Sequence, residues 1–255
     1  MTHVLALTMQ KGGVGKSTST LNIANNLAKR GYKVLIVDLD PQANATQGLG
    51  IDLNELEYSV YEVLLNPEKG VSFATMHTDA EIDLIPSTLA LAGAESELSG
   101  TVGRELLLSE ALNEVRSTYD YIFIDSPPNL GLFTLNAMAA ATSLLVPVQA
   151  HVYAYKALPQ LEKTIGLVRK LNPTLAIGGI IVTQVDARTK LSATITSRLR
   201  NEYKDVVFET VIPFNVKLAE SPAAGLPIAM YDPTGAGAKA YKHLTDEIEA
   251  RYGKK

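Results

Sequence analysis

At 255 residues, with 46% hydrophobic and 20% charged composition, the chain has apolar material for one large α/β domain with a substantial core. Zero cysteines exclude disulfides, thiolate metal sites and cysteine-held iron–sulfur clusters, and no window approaches the roughly 18 consecutive apolar residues of a membrane-spanning helix. The net charge of −4 is unevenly spread: residues 1–127 hold 8 basic against 17 acidic side chains, whereas residues 128–255 hold 15 against 10.

Val4 to Thr8 is an apolar run that reads as a strand, and Leu21, Ile23, Ala24, Leu27 and Ala28 have helical spacing. Between them lies Gln10-Lys11-Gly12-Gly13-Val14-Gly15-Lys16-Ser17-Thr18, a glycine-rich turn that opens a helix. Gly12, Gly13 and Gly15 let the backbone curl so that successive N–H groups point inward at a phosphate chain. The helix starting near Lys16 adds its orphan amides and the positive end of its dipole. Lys16 is placed to reach the β- and γ-phosphates, and the Ser17 hydroxyl to ligate Mg²⁺. The general phosphate-loop pattern has a glycine where this chain has Gln10. A lysine, Lys11, stands instead ahead of Gly12-Gly13.

Gly31 reads as the left-handed stop of that first helix, and Val34-Leu35-Ile36-Val37 as a parallel strand buried on both faces. The strand delivers Asp38 and Asp40, two residues apart and therefore on one side of an extended segment, where they can address Mg²⁺ and a water beside the γ-phosphate. Residues 43–50 read as a flexible loop. A short helix is expected over 58–65, a strand over 82–86, and helical spacing runs from Arg104 to Val115. Tyr121-Ile122-Phe123-Ile124-Asp125 is an apolar strand with one carboxylate at its tip, as a Walker B aspartate requires, and Pro127 and Pro128 end it. Helices are expected over 130–141, 158–171, 191–203 and 236–252, and strands over 144–148, 177–182 and 206–212. Strands alternate with helices throughout, so the fold class is α/β: a single doubly wound, mainly parallel sheet with helices on both faces, in one domain spanning 1–255. The singled-out residues lie at the carboxyl ends of strands, where ligands bind in such sheets.

The run from Lys11 to Thr18 resembles the deviant Walker A loop, Lys-Gly-Gly-x-Gly-Lys-[Ser/Thr], of the ParA/MinD ATPases. The resemblance covers nearly the whole chain and is greatest to ParA/Soj partition ATPases. It includes Asp38-Leu39-Asp40-Pro41-Gln42 with the following Asn-Ala-Thr-Gln-Gly-Leu-Gly, the segment 185–189, the segment 212–222, and Tyr231-Asp232-Pro233 with Gly237, Ala238 and Tyr241. It implies an Mg²⁺-dependent ATPase in which residues Lys11 to Thr18, with Val14 among them, bind ATP. Lys11 then completes a nucleotide-sandwich homodimer, Asp40 orients or activates the attacking water, Asp38 and Asp125 support the metal with Ser17, and Pro213 and Asn215 approach the base. It further implies non-specific binding of double-stranded DNA, a ParB-like or cargo-adaptor protein that stimulates hydrolysis, and a cytoplasmic, nucleoid-associated location. That location also agrees with the lack of a basic segment, apolar stretch and cleavage site ahead of the first strand.

Arg188, Lys190, Arg198, Arg200, Lys217 and Lys242 are the candidates for a DNA surface, each equally readable as a solvated helix charge. Three positions depart from the family pattern: His151 and Lys156 stand where glutamates are common, and Phe214 where arginine is common. His151 reads as an ordinary, partly buried histidine. A MinD-like membrane switch is disfavoured because the tail, residues 244–255, is acidic and poor in large apolar side chains. A dethiobiotin- or cobyrinate-type synthetase shares the loop style, but no separate substrate motif is visible.

Overall fold

The computed structural model describes residues 2–253; Met1 and the tail lysines Lys254 and Lys255 lie outside the described residues. Its strands are β1 (His3–Leu7), β2 (Val34–Asp38), β3 (Met76–His77), β4 (Asp83–Ile85), β5 (Tyr121–Asp125), β6 (Ser143–Gln149), β7 (Ile177–Val185) and β8 (Val207–Pro213). They form one sheet in the order β3-β4-β2-β5-β1-β6-β7-β8. Every pairing is parallel except β3 with β4. The mainly parallel, doubly wound sheet read from the sequence is therefore the fold observed.

Period-two alternation sorts the strand side chains into two cores. Val4, Ala6, Ile122 and Ile124 join the helices Leu132–Ala140, Leu158–Val168 and Lys190–Tyr203 on one face. Leu5, Leu7, Tyr121 and Phe123 pack on the other face with the helices Lys16–Ala28 and Ala236–Tyr252. β1 lies between β5 and β6, so the loop after it emerges in the middle of the sheet's carboxyl edge, flanked by the ends of β2, β5, β6 and β7.

Several elements of the structure differ from expectation. Residues 43–50 are not a flexible loop: Asn44–Gln47 form a helical turn, and Ala43, Ala45, Thr46 and Leu49 are buried. Their anchor is Asp38, whose Oδ2 accepts from Thr46 N at 2.9 Å and Thr46 Oγ1 at 2.8 Å. A carboxylate eight residues upstream thus satisfies an otherwise orphan helix-terminal N–H. The helical spacing at 104–115 resolves into a helix, Leu107–Ala111, followed by a 3₁₀ segment, Leu112–Val115. The helix Val216–Ala223, capped by Asn215, was not expected.

The anchored segment packs closely on its neighbour. A Cβ on Gly225 would stand 2.6 Å from the Gly50 Cα, and Gly225 has φ +69°. Gly225→Ala is expected to destabilise the fold by about 1–3 kcal/mol through combined backbone strain and overpacking, read as a lower urea midpoint. An unchanged midpoint would show that the two segments can separate without cost.

Candidate nucleotide site

The turn after β1 is shaped by two left-handed glycines, Gly13 at φ 70° and Gly15 at φ 90°. A Cβ at either would be strained whatever the space around it. Gly15 ends the turn directly at the helix Lys16–Ala28, which has no side-chain cap and no acidic residue in its first turn. No capping side chain or first-turn carboxylate of this 13-residue helix offsets its positive end or its orphan N–H groups. The carbonyls of the same turn are held from outside: Thr183 Oγ1 donates to Val14 O at 2.8 Å, and Gln184 Nε2 donates to Gly13 O. With their carbonyls tied outward, the turn's amides are left to face inward, which is the geometry of an anion-binding nest.

Lys16 is only 7% exposed, with its Nζ 3.3 Å from the Lys11 carbonyl. Burial lowers its pKa, while the carboxylates of Asp125 and Asp40 act in the opposite direction. Asp125 is fully buried at the tip of β5, in register with Leu7 on one side and Asp38 on the other. Neither of its oxygens meets a hydrogen-bond partner among the described residues. Burial and the neighbouring Asp38 charge push its pKa well up, opposed by the Ser17 hydroxyl and Lys16. A buried carboxylate with two orphan oxygens, beside a hydroxyl, is a place that a cation would satisfy. Among the described residues there is no cluster of three or more carboxylate, His or Cys side chains that could hold a metal by itself. The donor set suits Mg²⁺, which commonly takes one or two carboxylates and completes its shell with water and phosphate oxygens.

Asp38 is placed differently. Its Oδ1 accepts the Asp40 amide at 3.1 Å and its Oδ2 is shared by the two Thr46 donors, so its hydrogen bonds organise the 40–47 segment. Burial raises its pKa, and those donors oppose the rise. Asp40 is 7% exposed; its Oδ1 takes the Gln42 amide at 3.0 Å, and its Oδ2 has no hydrogen-bond partner among the described residues. A cavity of about 330 Å³ brings Gly12, Lys16, Ser17, Asp40 and Asn44 together with Pro128. A second, of about 240 Å³, shares Gly13, Gly15 and Thr18 with the first and continues to Pro213, Asn215 and Tyr241. Of the predicted phosphate and base residues, Gly12, Gly13, Gly15, Lys16, Ser17, Thr18, Pro213 and Asn215 line two halves of one cleft, whereas Lys11 lies outside both linings and Val14 is fully buried in the core. Asn215 Oδ1 accepts the Lys217 amide at 2.7 Å as a helix cap, leaving its Nδ2 to donate elsewhere.

The six basic candidates are not one surface. Lys190 and Arg198 are exposed on the helix Lys190–Tyr203, and Arg188, 86% exposed, precedes it. Arg188 is paired bidentately with Asp186 at 2.9 and 2.8 Å, which holds that carboxyl at a pKa of about 2. Arg200 turns to the β8 edge, on Glu209 O at 2.7 Å, and Lys217 pairs with Glu220 at 2.8 Å. Lys242 lies on the helix Ala236–Tyr252, across the sheet from Arg198. His151 accepts the Tyr153 amide at 3.4 Å as the cap of the helix Val152–Lys156. Sequence reasoning assigned no role to Thr46, Gln149, Thr183 or Gln184; Thr46 lay within the run 44–50 that carries the family resemblance, and the other three stand at or near a strand's carboxyl end.

Comparison with known proteins is consistent with this cleft. A model described as an AAA domain matches residues 2–177. The sporulation initiation inhibitor protein Soj of Bacillus subtilis (strain 168) is 45% identical over 251 residues, covering 98% of this chain and 99% of that protein. The chain belongs to the ParA/Soj-type partition ATPases. A second ParA/Soj relative, the chromosome-partitioning ATPase Soj of Treponema pallidum (strain Nichols), is 42% identical over 256 residues and covers 100% of both chains. Among solved structures, cobyrinic acid a,c-diamide synthase from Mycobacterium smegmatis with bound ADP and magnesium superposes with a TM-score of 0.86. It is 36% identical and covers 100% of this chain and 98% of that one. In this ParA/Soj chain the departures at His151 and Lys156 lie outside the cleft lining, His151 as a helix cap and Lys156 exposed, whereas Phe214 lines the base half of the cleft between Pro213 and Asn215.

Proposed function

We propose that this ParA/Soj-type ATPase is a switch in which ATP and Mg²⁺ join two copies, the joined form holds double-stranded DNA without sequence preference, and hydrolysis releases it. The observation that carries the reading is the uncapped loop-and-helix cleft, with buried Lys16 in its wall and the fully buried, orphan carboxylate of Asp125 close to Lys16 beneath it. Lys16 and the inward amides bind and orient the triphosphate, and Thr18, Pro213 and Asn215 flank the base side. Ser17 and Asp125 would hold Mg²⁺, which when bound offsets charge developing on the phosphate oxygens. Asp40 holds the attacking water in line and draws its proton, with Asp38 fixing the segment that carries it through the Asp40 amide. Lys11 adds a positive charge to the γ-phosphate of the second copy, so hydrolysis requires the pair. Such a joined form doubles any basic surface; in this reading the ATP-loaded pair rides on the nucleoid, carries a plasmid, chromosome origin or protein cargo, and answers to a ParB-like or adaptor protein.

DNA retention measured with ATP, ADP and no nucleotide, at two salt concentrations, tests this directly. ATP-only, salt-sensitive binding is expected. Arg198, exposed and without an ion pair among the described residues, is the phosphate-binding side chain favoured by position. Arg198→Glu is expected to lower affinity for every DNA sequence alike and to reduce the salt slope by about 1 for each phosphate no longer neutralised. Unchanged retention would remove that helix from the DNA surface. The likeness to the M. smegmatis synthase supports one alternative, an ATP-dependent amide-forming enzyme, in which nucleotide turnover would need a carboxylate substrate and DNA would have no effect.

A further inference from the structure

Lys11, half-buried, is tied down within its own chain. Its Nζ donates to Gln149 Oε1 at 2.7 Å; Gln149 Nε2 donates to Gln184 Oε1 at 2.9 Å; Gln184 Nε2 donates to the Gly13 carbonyl. The three bonds run head to tail from the ammonium to the nucleotide turn, each amide accepting at its oxygen and donating from its nitrogen. In such a chain each bond polarises the next. Gln149 ends β6, and Gln184 sits near the end of β7 with φ 53°, a left-handed backbone that non-glycine residues rarely adopt. That unusual backbone persists only because something holds it, and the relay with Gly13 and Gln149 is what the side chain reaches.

We propose that Gln149 and Gln184 are positioning residues that latch Lys11 in the single chain and set how readily it is released to a second copy. The inference rests on the role given to Lys11 above. For Lys11 to reach another copy's nucleotide, its bond to Gln149 has to break, so every association step carries the cost of opening the latch. The latch therefore resists association, while the bond from Gln184 to the Gly13 carbonyl does not involve Lys11 and is left in place when the latch opens.

Two substitutions at one position separate a latch from a merely structural residue, because they act with opposite signs. Gln149→Leu removes the acceptor and is expected to tighten dimerisation with Mg²⁺ and a non-hydrolysable ATP analogue by about tenfold, the worth of one hydrogen bond to a charged group. Gln149→Glu replaces a neutral acceptor with a carboxylate that grips Lys11 harder, and is expected to weaken dimerisation by about tenfold. Sedimentation equilibrium reads the dimer Kd, and titration with Mg·ADP reads nucleotide affinity, expected to stay within about threefold of wild type for both. A wild-type chain that stays monomeric with the analogue overturns the role of Lys11 itself. A wild type that dimerises while both variants shift in the same direction, or neither shifts, overturns the latch alone, as does a loss of ADP binding that accompanies the change.

Discussion

Lys16→Ala is expected to abolish measurable nucleotide binding. The ammonium is nearly sealed from water, so its bonds to phosphate oxygens would form in a medium where charge-assisted hydrogen bonds are strong. Truncating one member of such a buried pair costs about 2–5 kcal/mol, and here the removed cation also balances Asp125 and Asp40. A loss of roughly 30- to 4,000-fold in affinity follows, at 1.4 kcal/mol per factor of ten. The fold is expected to survive, because the Lys16 side chain lines the cleft wall and, among the described residues, makes one hydrogen bond, at 3.3 Å, to Lys11 O. Calorimetric titration with Mg·ATP, with circular dichroism as the control for folding, gives the answer. Affinity within threefold of wild type would remove Lys16 from the phosphate site.

Asp40→Ala is expected to leave ATP binding intact and to lower the hydrolysis rate by about 10²–10⁴, the usual contribution of a positioned base. The geometry separates this residue from its neighbour. The Asp40 bond to Asp38 runs through its backbone amide and survives the substitution, whereas the Asp40 carboxylate holds only the Gln42 amide. The segment should keep its shape while the cavity beside Lys16 loses a carboxylate oxygen free of internal hydrogen bonds. ATP-loaded dimer should then accumulate, visible as a lasting rise in light scattering after ATP addition. Phosphate release at more than a third of the wild-type rate would assign the water to another group. Asp38→Ala is the instructive contrast, since it removes the acceptor for Thr46 and Asp40 together and acts on structure before chemistry.

The nucleotide half of the site was legible because its signals are local. Gly13 and Gly15 stand where the backbone turns left-handed, Lys16 and Ser17 open the helix, and Asp125 ends an unbroken apolar run. Each can be read within a window of about ten residues. The segment 43–50 was misread for the converse reason: small residues without periodicity look like a flexible loop, and nothing in their own run shows that a strand-end carboxylate folds them. β3 escaped notice because two residues carry no alternation. The basic residues could be counted in the second half of the chain but not sorted, since which face each occupies depends on how its helix packs.

By itself the amino-acid sequence determined the alternating α/β plan, the glycine-rich turn that opens the first helix and the carboxylates that the strands deliver, because hydrophobic period and glycine spacing are properties of neighbouring residues. Only the tertiary structure decided that Asp38 braces the segment of Asp40, that Thr183 and Gln184 hold the turn's carbonyls, and that Gln149 restrains Lys11. It also split the cations between two layers of the fold. These include bonds between residues as many as 169 and 171 positions apart, brought together by strand order, and strand order emerges from the packing of the whole sheet.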